Sequence, residues 1–554
     1  MNPWLPKSIE CLQDYDKKKF ILDLIAGVTV GLVALPLAMA FAISSGLPPQ
    51  AGIYCAVVTG FLISALGGSK MQIGGPTGAF VVVVAGIISK YGIEGLFVCT
   101  LMAGMILILL GVTGMGTAVR FIPRPVVVGF TNGIAMLIAS VQIKDFLGLK
   151  MESVPSEFLL RMEAIFLHLE TFNWQATVLG VGSVALILFC TRYVKRVPGY
   201  IAALVLGTAV AALMQLPVET IGSKFGGIPS GLPQFHVPRL RFDLILKLLS
   251  PALTVAMLGA IESLMSAVVS DRMSGDQHKP NVELIAQGIA NIFSPMFGGL
   301  PATGAIARTA TNIRAGAQTP VSGIIHALTL LAVLVFAAPL AKFVPMPVLA
   351  GILFIVSWNM GEWKEIPLLL KLSKADIAVW FVTFLLTVVA DLTLAVEVGM
   401  ILAALMFIRK VAVTTTVTEV TDNYILESRV HILQDKNIPD YVSIFRIHGP
   451  FLFGATDKLR DISAKIDELP ETVVLRLRNM PAIDATGMQA LEELAGHLHR
   501  SGRNLLLCGA REQPLKLMKQ AGFEQHVGPE NICESVTDAL ARAAELHAGV
   551  HVQQ

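Results

Sequence analysis

The chain has 554 residues, of which 54% are hydrophobic and only 15% charged, and its mean hydropathy is +0.68. A soluble chain carries about 25% charge, so this composition excludes a wholly water-facing globule. The net charge of +2 gives no sign of a nucleic-acid partner.

Residues 1–20 are polar and contain Lys17, Lys18 and Lys19. They read as a cytoplasmic N-terminal segment, and the apolar run that follows is long enough to stay in a bilayer rather than be cleaved as a signal. Residues 21–410 form the predicted transmembrane domain. Between residues 21 and 119 the charges are Asp23, Lys70, Lys90 and Glu94 alone. Spans are predicted near 21–43, 52–68, 96–118, 123–141, 175–191, 199–216, 249–270, 284–298, 321–341, 347–359, 376–390 and 394–408. Two shorter segments, 76–89 and 304–314, bring the total to fourteen. An even number of crossings places both termini on the cytoplasmic side, as do Arg192, Lys195, Arg196, Arg409 and Lys410 in short loops and flanks. Residues 411–439 read as a linker and the start of a soluble domain, and 440–554 as that domain. Strands are expected at Tyr441–Ile447, Thr472–Leu477 and Asn504–Cys508, with helices at 456–468, 486–499, 512–521 and 533–547. Alternating strands and helices imply a small α/β sheet.

The two short segments share a pattern. Gly74-Gly-Pro-Thr-Gly-Ala-Phe80 and Gly298-Gly-Leu-Pro-Ala-Thr-Gly-Ala-Ile306 align on Thr77 and Thr303. Each follows an apolar span, breaks it with Gly and Pro, and opens a new helix. Each is third in a block of seven spans, and an odd block length makes the two copies inverted. Paired short helices at matching positions of such halves mark a transporter's substrate site. Two helix N-termini that face each other offer unpaired N–H groups and the positive ends of two dipoles, which favours an anion. Pro76 and Pro301 are expected to begin these helices, with Thr77 and Thr303 as caps or donors and Gly304 allowing close approach of a ligand.

Arg308 falls in the first turn or so of the second short helix, a depth at which a charge needs a partner or a ligand. Anion contact competes there with a guanidinium reaching to the membrane interface. Glu262 is the only charge between Lys247 and Asp271, and so belongs mid-span. It reads either as a proton or cation site or as a fixed partner for Arg308. No Walker, G-x-S-x-G or H-E-x-x-H motif occurs, so no enzyme chemistry and no cofactor is expected.

These residues carry a family resemblance. The run from Asp23 to Pro36, Gly75-Pro-Thr, the Glu262 segment, His278-Lys-Pro-Asn-Val-Glu-Leu and Phe297-Gly-Gly-Leu-Pro-Ala-Thr-Gly together resemble the SulP sulfate permeases, the bacterial branch of the solute carrier 26 anion transporters. The C-terminal segment resembles a STAS domain (sulfate transporter and anti-sigma factor antagonist). The resemblance implies an α-helical polytopic membrane protein of fourteen spans as seven plus seven inverted repeats, with core and gate subdomains, and a small cytoplasmic STAS domain. It further implies a homodimer in a bacterial inner membrane that works by an elevator-like motion. Substrate contacts carried over are Phe41, Thr77, Gly78, Ala305, Ile306 and Arg308, with Glu262 and Ser266 as the coupling pair. Sodium-coupled bicarbonate members place an acid and two hydroxyls there. Ile306 stands where the second hydroxyl would be, which tilts the reading toward protons. Thr486, in Asp484-Ala-Thr-Gly487, takes the place of the phosphorylated Ser of anti-sigma factor antagonists. The leading expectation is a secondary carrier of sulfate, bicarbonate or a C4-dicarboxylate. The alternatives are a channel-like anion conductor, a sodium-coupled bicarbonate symporter, and a signalling module whose STAS domain binds a nucleotide or a cytosolic protein.

Overall fold

The computed structural model describes residues 4–116, 123–151, 154–155, 157–194, 198–229, 231–238, 242–390, 392–420 and 438–551. They form two compact units that divide after Ile401.

The first unit is helical. After a short α1 (Lys7–Leu12) come α2 (Lys17–Ser44), α3 (Pro49–Leu66), the strand β1 (Gly74–Gly75), α4 (Gly78–Val112), α5 (Arg124–Leu147), α6 (Phe158–Leu167), α7 (Trp174–Tyr193), α8 (Gly199–Leu213) and α9 (Ile221–Phe225). The second half holds α10 (Phe242–Ser274), α11 (Pro280–Met296), the strand β2 (Thr303–Gly304), α12 (Ile306–Arg314), α13 (Val321–Phe336), α14 (Met346–Met360), α15 (Ile366–Leu369), α16 (Lys374–Val389) and α17 (Leu392–Thr414). Helices α3, α5, α11 and α14 carry a proline in their first two positions, where a missing N–H breaks no intrahelical bond.

Several expected boundaries shift, two of them most. The short segment 76–89 and the span after it are one continuous element, α4, bent at Gly92, whose φ of +73° lies in the left-handed region. Counting α4 as two, the described residues supply fourteen helical segments at the predicted places: α2, α3, both parts of α4, α5, α7, α8, α10 to α14, α16 and α17. Helix α10 is also longer at both ends than the predicted 249–270. Six of the described helices are long and apolar enough to cross a membrane alone. Most of the others are shorter, α17 with its 23 residues excepted, and the short ones depend on neighbours to shield their backbone ends.

The helices sort into two bundles. Helices α2, α3, α4 and α10 to α13 pack mainly on one another, and α5, α7, α8, α14 and α16 do likewise, which is the expected division into core and gate. In the core the backbones of α4 and α11 approach closely. A Cβ built on Gly104 would lie 2.7 Å from the Gly288 carbonyl oxygen, and one on Gly288 2.6 Å from that of Gly104. In a lipid solvent such small-residue contacts supply the van der Waals attraction that a hydrophobic effect cannot.

Two fully buried carboxylates fix the loops that lead into and out of the short helices. Asp23, on α2, accepts from Gln318 N (2.7 Å), Thr319 N (3.1 Å) and Thr319 Oγ1 (2.5 Å), and so holds the loop that follows α12. Glu283, on α11, accepts from Gly68 N (2.9 Å), Ser69 N (3.1 Å) and Gln287 Nε2 (2.8 Å), and holds the loop that leads to β1. Backbone N–H donors make each buried charge tolerable.

The second unit contains a five-stranded sheet in the order β3 (Thr416–Glu419), β4 (Val442–His448), β5 (Thr472–Asn479), β6 (Asn504–Cys508) and β7 (Ile532–Cys533). β3 runs antiparallel to β4, and the remaining pairs are parallel. Helices α18 (Asp457–Ala464), α19 (Ala485–Arg500), α20 (Glu512–Gln520), α21 (Glu524–Val527) and α22 (Val536–His551) complete it. The central strands β5 and β6 are buried along most of their length, and separate apolar clusters cover the two faces, one built on Phe451, Leu475 and Leu491 and the other on Ile444, Val474 and Ala539. Burial pushes the Cys508 thiol up to about 12, so it stays protonated and inert. The three predicted strands and four predicted helices are present. β3 and β7 are additions, too short to show an alternating pattern. Since this unit has its own two-sided core, residues 440–548 made as a separate fragment should unfold in one cooperative thermal transition. A fragment without such a transition would contradict this.

Candidate functional site

The two short helices meet through backbone. β1 pairs antiparallel with β2 in the register Gly74 with Gly304 and Gly75 with Thr303, and Ala305 N donates to the Ile73 carbonyl at 2.8 Å. Antiparallel pairing means that α4 and α12 leave the same place in opposite senses, as an inverted repeat requires. Their first N–H groups have no intrahelical acceptor.

The prolines do not start these helices. α4 begins at Gly78 with Thr77 as its N-cap, and α12 begins at Ile306 with Ala305 as its N-cap. The partner of Thr77 in the second repeat is therefore Ala305, and Thr303 lies on β2 instead. Thr303 is fully buried, donates to the Gly259 carbonyl at 3.0 Å and meets Ser263 Oγ at 2.7 Å. Its hydroxyl is spent on packing the strand. Gly304 is likewise enclosed, because a Cβ there would collide with the Gln72 side chain.

The Thr77 side chain makes no capping hydrogen bond to its own helix. Its Oγ1 donates to Glu262 Oε2 at 2.8 Å, which leaves the N-terminal N–H groups of α4 uncapped by that side chain. Glu262 and Thr77 are both partly exposed. Further along α10, Ser266 is fully buried and its Oγ lies 3.0 Å from Thr309 Oγ1 on α12. One face of α10 thus reaches both short helices: Glu262 the first, Ser263 the strand of the second, and Ser266 the second helix itself.

Arg308 is 3% exposed and lies within the protein rather than reaching out of it. Its Nη2 donates to the Pro76 carbonyl, so the side chain of one repeat grips the lead-in of the other. Its Nη1 is buried with no hydrogen-bond partner among the described residues, and no ion pair there joins it to Glu262. Gly75, with φ +149°, makes room for this, since a Cβ on it would run into Nη1. On the other side of the α4 terminus, a Cβ on Gly78 would be 3.0 Å from Ile138 Cδ1, 3.2 Å from Met360 Sδ and 3.4 Å from Phe41 Cε1. Phe41 is therefore beside Gly78 as expected. Ala305 is buried, while Ile306 and Ala307 are exposed at the start of α12. The chemistry of this arrangement is a positive field from two helix ends and one guanidinium, with a titratable carboxylate at its edge.

Several residues here escaped the sequence reading. Asn291 clamps the approach to β2, donating to the Ala302 carbonyl and accepting from Ala302 N, both at 2.8 Å. Thr309 accepts from Ile73 N at 3.0 Å, and Asn312 donates to the Met71 carbonyl at 2.9 Å. Arg308, Thr309 and Asn312 fall on one helical face, a polar stripe that could have been read from their spacing. Ile138 and Met360 offer no such signal.

In the second unit, Thr486 is exposed in the first turn of α19. The helix is capped by Asp484, which accepts from Gly487 N at 2.8 Å and from Phe453 N at 3.1 Å.

Comparison with known proteins agrees with both units. The sequence model of the Sulfate permease family matches residues 20–383, and that of the STAS domain matches residues 434–539. A Bacillus subtilis protein named "Putative sulfate transporter YvdB" is 42% identical over 520 residues, covering 93% of this chain and 96% of its own. The bicarbonate transporter BicA of Picosynechococcus is 30% identical over 538 residues, covering 94% of each. The overall structure of SLC26A9 superposes with a TM-score of 0.88 at 18% identity, covering 100% of this chain and 94% of that one, a likeness of fold.

Proposed function

The chain belongs to the sulfate permease family of anion transporters, and from that premise we propose that it is a secondary active, proton-coupled carrier of a small anion bound between the N-termini of α4 and α12. The observation that carries this reading is the buried Arg308, whose Nη1 has no partner among the described residues beneath two converging helix ends. A buried guanidinium that no direct ion pair satisfies among the described residues favours a bound anion. Sulfate and bicarbonate are the substrates named for the relatives, and a C4-dicarboxylate shares their charge chemistry. Glu262 favours a carrier over a channel, because a conductor needs no titrating group at its binding site. Separate bundles for α4 and for α5 with α14 supply the two bodies that alternating access requires. Purified protein in liposomes should accumulate at least one of labelled sulfate, bicarbonate or succinate, faster when the outside is acidic. Uptake indifferent to the pH gradient would remove the coupling, and no uptake of any of the three would remove the reading.

Both termini are assigned to the cytoplasm on the Lys and Arg bias. A C-terminal reporter active only in the periplasm would reverse this orientation.

A further inference from the structure

At Gly78 the core presents bare backbone to the gate. The Cβ that Gly78 lacks would touch Ile138 of α5 and Met360, the last residue of α14, at 3.0 and 3.2 Å. Those two side chains therefore stand within van der Waals reach of Gly78, the first residue of α4, and flank the helix end whose first N–H groups have no intrahelical acceptor. Ile138 is fully buried and Met360 partly so. Neither offers a hydrogen bond to an anion.

This pair is held rigidly from behind. On either side of Met360, α14 and its continuation are fastened to α5. Ser357 Oγ donates to the Ala135 carbonyl at 2.5 Å, and Glu362 N donates to Asn132 Oδ1 at 2.7 Å. Ile138 lies one turn beyond Ala135 on the same helix. The backbones of Ile138 and Met360 are thus parts of one braced surface rather than of a flexible flap, although the thioether itself is adaptable.

We propose that Met360 and Ile138 form an apolar wall that sets the largest anion able to reach the N-terminus of α4, and so act as specificity determinants from the gate side. The inference rests on the anion-carrier reading above and deepens it. An anion small enough to sit at the helix end beside the wall keeps its oxygens on N–H donors. A longer or broader one must press polar oxygens against Ile138 and Met360, where they lose water and gain no hydrogen bond. Discrimination arises from what the wall denies to the larger anion, not from what it gives to the smaller.

Shortening the wall should therefore admit larger anions. In liposome uptake, Met360→Ala should raise the rate for succinate relative to sulfate by about tenfold, the lower end of the discrimination that one methylene supplies in an apolar pocket. Ile138→Val, which removes a single methyl, should shift the ratio the same way by less. It also gives a reading should Met360→Ala not fold. Wild-type transport with an unchanged succinate-to-sulfate ratio in the folded variants would overturn the inference while leaving the carrier reading intact. Absence of any uptake by the wild type would overturn both.

Discussion

Arg308→Ala is expected to raise the dissociation constant for the transported anion by roughly tenfold to a hundredfold without abolishing binding. Each helix end contributes about 0.3–2 kcal/mol toward a bound anion. A charge-assisted hydrogen bond is worth about 1.5–3 kcal/mol, so removal of the guanidinium leaves the two dipoles as a weaker residual site. The side chain acts in two ways. It supplies positive charge through the unpartnered Nη1, and it grips the Pro76 carbonyl through Nη2, which fixes the lead-in to α4. Arg308→Lys separates these roles, since a lysine retains the charge but not the planar fork. The lysine variant should recover part of the lost affinity if charge dominates and little if positioning does. Equilibrium binding to purified protein with an intact thermal transition is the measurement. An unchanged constant for the alanine variant would remove Arg308 from the site.

The second large effect concerns Glu262. Glu262→Gln should make anion uptake insensitive to a pH gradient while the protein remains folded. An ionised Glu262 at the edge of the site opposes an incoming anion, and a neutral one does not. Protonation therefore strengthens anion binding, and by reciprocity the anion strengthens protonation, which is the thermodynamic content of symport. Such couplings are typically about 1–3 kcal/mol, so wild-type affinity should fall by roughly 5- to 150-fold as Glu262 ionises with rising pH. The Gln variant should bind at all pH values as the protonated wild type does. Its amide can still accept the Thr77 hydroxyl that Glu262 Oε2 takes at 2.8 Å, so the local structure has no reason to collapse. No ion pair joins Glu262 to Arg308 among the described residues, so the variant breaks no direct contact with that guanidinium, while it removes a carboxylate that attracts it across the site. Uptake by the variant that still follows the gradient as in wild type would exclude Glu262 as the coupling group.

Much of the architecture was legible in the residues alone. Apolar run lengths predicted fourteen spans, because a bilayer demands them. The repeated Gly, Pro and Thr pattern marked two interrupted helices, and the isolation of Arg308 and Glu262 among apolar residues marked the charges a membrane tolerates only for a purpose. Alternating strands gave the soluble domain its class. The remaining features depend on contacts between distant residues. Only folding shows that α4 and α12 start at Gly78 and Ile306, because the two-residue strands before them exist solely through pairing with each other and are too short for any periodic signal. Only folding gives the hydroxyl of Thr303 to Ser263 and Gly259, and that of Thr77 to Glu262. Hydroxyl side chains make no commitment in sequence, since they serve whichever partner packing brings within reach. Ile138 and Met360 are the extreme case. In sequence they are two apolar residues among some three hundred, and their place opposite Gly78 comes from the approach of two bundles whose contacts join residues far apart in the chain.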